Sequence, residues 1–180
     1  MKTFGKTQGA QVVTLAEGAV VGKLDDFQFD LETGRIYGYR IKAPGVWSRG
    51  GGVEAGAVTM IGRDVVFVVA ERVIEWSGSG RNEEEGRAWA STWRGTKVMS
   101  RRGEALGEVT DFVIEAAPPH VRALILDGNR IVGLEGRASL GEQRVVLEEP
   151  SIVQALPEET SDTESGWWRS IKGIFADPEE

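Results

Sequence analysis

The 180-residue sequence predicts an all-β protein made of two related halves and followed by a short amphipathic helix. Three observations predict this. Apolar and polar residues alternate with period 2 through most of the chain. A segment of the first half recurs in the second at a fixed offset of 85 residues. Near the C-terminus, the bulky apolar residues gather on one side of a helical wheel.

The stretch "DFQFDLETGRIYGYRI" places Phe27, Phe29 and Leu31 on one face. It turns through Glu32, Thr33 and Gly34 and returns with Ile36, Tyr37, Tyr39 and Ile41, as a β-hairpin does. "RDVVFVVAERVIEW" is a short valine-rich run suited to a buried strand. "NRIVGLEG" and "QRVVLEE" read as later strands separated by glycine turns.

The repeat pairs "AEGAVVGKLDDFQFD" (16–30) with "RRGEALGEVTDFVIE" (101–115). Gly18 falls on Gly103, Gly22 on Gly107, Asp26 on Asp111, and Phe27 on Phe112. From residue 11 to 43 the offset needs no gap, and Ile36 and Ile41 fall on Val121 and Leu126. After "WSRGGG" it drops to 79, where "VVFV" meets "RVVL". Matched glycines at matched turns are the mark of an internal duplication. The expected boundaries are a first domain over 1–76, a polar linker over 77–94, a second domain over 95–156, an acidic tether over 157–166 and a helix over 167–176. Trp89 and Trp93, in the linker, are read as packing between the halves.

Composition narrows the chemistry. The net charge is −7, and the last 25 residues hold seven carboxylates against two cations, so the body is nearly neutral. A general phosphate-binding face needs an excess of Lys and Arg, which disfavours nucleic acid as a partner. With no cysteine there is no disulfide frame, thiol nucleophile or cysteine zinc site. The opening "MKTFGKTQGA" lacks a signal-peptide core and no apolar run is long enough to span a bilayer, so the expectation is a cytoplasmic protein.

No catalytic constellation emerges. His120, in "PPHVR", is the single histidine and reads as part of an exposed hairpin turn. Asp25, Asp26 and Asp111 open hairpin strands, where carboxylates bond turn backbone or face water. Glu83, Glu84 and Glu85 lack the spacing of a metal loop. "RGGG" (49–52) and "GSGR" (78–81) match no phosphate-binding fingerprint. Arg101 and Arg102, with Glu104 and Glu108 nearby, read as ordinary surface charge. The expectation is a protein that is not an enzyme, with no cofactor and no metal.

In the tail "GWWRSIKGIFA", Trp167, Trp168, Ile171, Ile174 and Phe175 fall within an arc of about 120° on a helix. They are the candidate partner-binding residues. Such a helix admits three roles: a cap on a barrel of this chain or a dimer mate, an anchor in a groove of another protein, or an interfacial membrane anchor.

The charged-glycine turn, the "GKLDDFQFD" core and the "TGRIYGYRI" return strand, echoed in "RGEALGEVTDFVIEAAPPHVRALIL", resemble the PRC-barrel domain. The resemblance covers about 11–75 and 96–155. It implies a small, partly open antiparallel β-barrel per copy, acting as a docking module without chemistry of its own. The expected function is a protein–protein adaptor, with the membrane surface and a homodimer as further candidate partners. The alternative is binding of RNA, or of an assembling ribosome, through a barrel face.

Overall fold

The computed structural model describes residues 2–30, 32–45, 50–76, 86–134, 138–141, 144–147 and 152–153. Strands dominate. The first half contributes β2 (Gln11–Thr14), β3 (Val20–Asp30), β4 (Ile36–Lys42), β5 (Gly50–Glu54), β6 (Val58–Ile61), β7 (Val65–Val68) and β8 (Ile74–Glu75). The second contributes β10 (Lys97–Ser100), β11 (Ala105–Ala116), β12 (Pro119–Leu126), β13 (Arg130–Gly133), β14 (Ala138–Gly141), β15 (Arg144–Leu147) and β16 (Ile152–Val153). Two arms complete the set: β1 (Lys2–Thr3) with α1 (Phe4–Thr7), and β9 (Arg87–Trp89) with α2 (Ala90–Trp93).

Both sheets have one strand order, β6-β7-β2-β3-β4-β5-β8 in the first and β14-β15-β10-β11-β12-β13-β16 in the second. One feature differs from the expected, partly open antiparallel barrels. The sheets are mixed, because β2 runs parallel to β7 and β10 parallel to β15. Among the described residues neither sheet closes, as each order ends in two unjoined outer strands.

The repeat is also one residue out of register at its start. Gly18 N–H bonds the carbonyl of Thr14, four residues back, whereas Gly103 N–H bonds that of Ser100, three back. The second turn is thus one residue shorter, and β2 corresponds to β10 at an offset of 86. Both glycines stand at positive φ, which explains why glycine recurs there. Gly22 recurs as Gly107 for a steric reason. A Cβ on Gly22 would lie 2.5 Å from the Lys42 carbonyl oxygen, and Gly107 itself holds φ +130° beside Asp127.

The arms cross between the sheets. β2 pairs only with the start of β3, leaving the later part of that edge open, and β9 fills it, with Ala88 opposite Phe29 and Trp89 opposite Gln28. In the second sheet β1 fills the matching edge, with Lys2 opposite Ile114 and Thr3 opposite Val113. Residues 87–93, read from sequence as linker, are therefore strand and helix. Unpaired edges are open to unwanted pairing, and each arm covers one.

A single apolar core runs through both halves. At its centre Phe27 meets Phe112 edge to face at 5.4 Å, with Phe4, Phe29 and Trp93 around them. Burying each such ring contributes roughly 1.5–3 kcal/mol. Trp93, half-buried, packs against this core, whereas Trp89 is buried outside it, beside Arg40 on the first sheet. They lie on different elements, β9 and α2, rather than on one helical face.

Candidate docking surface

The aspartate that recurs at Asp26 and Asp111 joins the halves. The Asp26 carboxylate is buried and accepts bonds from the backbone N–H of Ser91 at 3.2 Å and its hydroxyl at 2.5 Å, both in α2. Arg40 lies 3.3 Å from Asp26 and 2.6 Å from Asp25, and its guanidinium stands over the Trp89 ring. Asp111 makes the matching contact with the other arm, where the Gly5 N–H lies 3.0 Å from both carboxylate oxygens. Burial raises the Asp111 carboxyl above its ordinary value, outweighing hydrogen bonds from Phe112 and Gly5 and the charge of Arg94. The recurrence of these aspartates in both halves points to a structural role, and they have one, but they hold the arms rather than the hairpin turns.

His120 differs from expectation too. It bridges Arg35, its own counterpart in the repeat, and its Nε2 contacts the Thr33 carbonyl. Val121 N–H bonds the Gly34 carbonyl at 2.7 Å beside it. The histidine is half-buried where the two hairpin tips meet rather than free on a turn. Arg40, Arg63, Arg94, Arg122 and Arg130 each face a carboxylate within 4 Å. Among the described residues no cluster of three or more metal-ligating side chains occurs, and no helix is long and apolar enough to cross a membrane. Glu83, Glu84, Glu85, Arg49 and the candidate partner-binding residues Trp167, Trp168, Ile171, Ile174 and Phe175 lie outside the described residues.

The outer face of the first sheet has a different character. Alternation puts Val12, Thr14, Val66 and Val68 inside and turns Val13, Leu15, Phe67 and Val69 out. The cross-strand register then aligns Val20, Val13, Phe67 and Met60 in one row over β3, β2, β7 and β6. Leu15 and Val69 follow at the strand ends, where Leu15 N–H bonds the Val68 carbonyl. Leu15, Val20, Met60 and Val69 are the large exposed hydrophobics among the described residues, at 53, 54, 47 and 37% exposure. All four share this one face. Contiguous exposed apolar surface of this kind marks interaction sites.

The second half does not repeat it. Arg101 takes the place of Leu15, with the same backbone bond, N–H to the Leu147 carbonyl. Ala105 stands for Val20, Ser139 for Met60 and, by sequence, Glu148 for Val69. Met99 and Val146 keep the places of Val13 and Phe67 apolar, so the halves differ at the four most exposed positions, where the fold does not require a large apolar side chain. Beyond Gln11 and Val65 the face runs into a pocket of about 500 Å³. Lys6, Lys23 and Arg63 line it against the single carboxylate of Asp64.

The chain is thus a mixed-β protein whose first sheet bears an exposed apolar row among the described residues. Within it, residues 87–153 match the PRC-barrel domain family. Domains of that family are in general non-catalytic protein-interaction modules. The match begins at β9, so it takes in the arm that completes the first sheet. No curated protein matches the chain.

Proposed function

We propose that this protein is a non-enzymatic protein–protein adaptor whose two halves, 1–76 and 95–156, are copies of one PRC-barrel-like unit. It docks its partner through the outer face of the first sheet together with the aromatic segment Trp167, Trp168, Ile171, Ile174 and Phe175. The observation that supports this reading is the gathering of Leu15, Val20, Met60 and Val69 on one exposed face, at positions where the sequence of the second half has Arg101, Ala105, Ser139 and Glu148.

The test is recovery of partners from native extract by the full chain, by a Leu15→Glu/Met60→Glu variant, and by a Trp167→Ala/Trp168→Ala variant. The adaptor reading expects one set of proteins to be depleted in both variants. Equal recovery by all three chains overturns it.

A further inference from the structure

We propose that, when no partner is bound, the C-terminal segment 167–175 of the same chain covers the outer face of the first sheet. The inference rests on the docking reading above and names the regulation of that face, since a partner that takes both the face and the aromatic segment must first separate the two.

Dimensions fit first. The row Val20–Val13–Phe67–Met60 crosses four strands, about 14 Å at the usual strand spacing. From Trp167 to Phe175 a helix advances about 12 Å and presents two tryptophans, two isoleucines and a phenylalanine on one side. A helix lying across the strands would cover the whole row and bury both apolar surfaces.

Reach fits next. The described chain ends at Val153 in β16, and 13 residues separate it from Trp167. Fully extended, that stretch spans at most about 45–50 Å. A body of this size is about 40 Å across, so the segment can reach a surface on the other half.

Charge gives the direction. Residues 157–166 carry Glu158, Glu159, Asp162 and Glu164 and no cation. The pocket that continues the apolar face carries Lys6, Lys23 and Arg63 against one aspartate. An acidic tether laid over that rim would bring the aromatic segment onto the face beside it. At the corresponding positions of the second half the sequence has Arg101 and Glu148 in place of Leu15 and Val69, and the smaller Ala105 and Ser139 in place of Val20 and Met60.

The test uses the full chain with a photo-reactive benzophenone side chain in place of Trp168. Irradiated material is digested and the linked peptides identified, with isotope-labelled chain mixed in to separate links within one chain from links between two. The expected result is intrachain linkage to 11–20 and 58–69. Val20→Glu/Met60→Glu should lower its yield at least about tenfold, the scale of burying an unpaired charge. Ala105→Glu, at the matching position of the second half, should leave it unchanged. If circular dichroism shows the double variant unfolded, Leu15→Glu alone replaces it. Linkage to other surfaces, between chains, or to lipid when phosphatidylglycerol vesicles are present overturns the proposal. Intrachain linkage to this face in a chain that recovers no partner leaves the cover standing and removes the adaptor. Partner loss on face substitution without the linkage does the reverse.

Discussion

Phe27 and Phe112, one at the same place in each half, touch each other edge to face with ring centroids 5.4 Å apart. Two residues that fall on each other in the repeat are therefore neighbours in space. The same holds for Arg35 and His120, which bridge at the hairpin tips. Neither sheet owns its core alone.

Phe112→Ala should therefore weaken both halves together. Removing a fully buried ring costs about 3–5 kcal/mol. Urea unfolding followed by tryptophan emission and by amide exchange on β3 and β11 should show one shared transition at lower midpoint. Separate transitions for the two sheets would contradict a common core.

Asp26→Ala and Asp111→Ala release different arms at different cost. Asp26 is almost fully buried and holds Ser91 and Arg40, so its loss should cost about 3 kcal/mol. Asp111 is more exposed, and about 1–2 kcal/mol is expected. Exchange protection should fall at Ala88 and Trp89 in the first variant and at Thr3 and Gly5 in the second.

The raised carboxyl of Asp111 gives a pH dependence with a definite sign. The folded chain holds this proton to higher pH than the unfolded chain, for which the ordinary value of 3.8 applies. Its contribution to stability therefore declines as pH rises from 3.8 through the raised value. Denaturation midpoints of the wild type should lose ground to those of Asp111→Asn across that window. A wild-type advantage that grows with pH there would show the opposite shift.

Two glycines in strands predict opposite outcomes. Ala at Gly22 puts a Cβ against the Lys42 carbonyl oxygen and should cost about 1–3 kcal/mol in forced backbone movement. Ala at Gly52 meets nothing within 4 Å and should be neutral or stabilising by up to about 1 kcal/mol. Thermal melts of the two variants compare them directly.

On the sheet itself Val20 is more than half exposed, so in a chain whose Trp167 and Trp168 are replaced by alanine, Val20→Lys should leave stability within about 0.5 kcal/mol. A larger loss in a melt would mean that the face carries structural weight.

Alternation alone places Phe27 and Phe29 together in the core, since a strand's two faces are written into its period, whereas Ile36 joins Tyr39 and Ile41 there only because a bulge breaks the period of β4. It fails at Asp26 and Gln28, which are buried on the opposite face of β3. The cause is an arm from 60 residues further along, and nothing local in "LDDFQFD" announces it. The parallel pairs β2–β7 and β10–β15 were equally invisible, since direction depends on how the connection returns. The docking face was legible in part. Leu15 and Met60 stand out as apolar residues near turns, but only the register puts them in one row with Val20 and Phe67.

The crossing of the arms has a consequence for how the chain is made and cut. Residues 2–7 precede the first sheet yet finish the second, and 87–93 precede the second yet finish the first. This is a reciprocal swap built into one polypeptide. The second sheet waits on a segment synthesised about a hundred residues earlier, and a bulky fusion at the N-terminus presses on the half that lies farthest from it in sequence. A fragment trimmed to 87–153 would carry its sibling's closing piece and lack its own. Its arm has one place left to go, back onto its own β11, along the edge that β1 covers in the full chain.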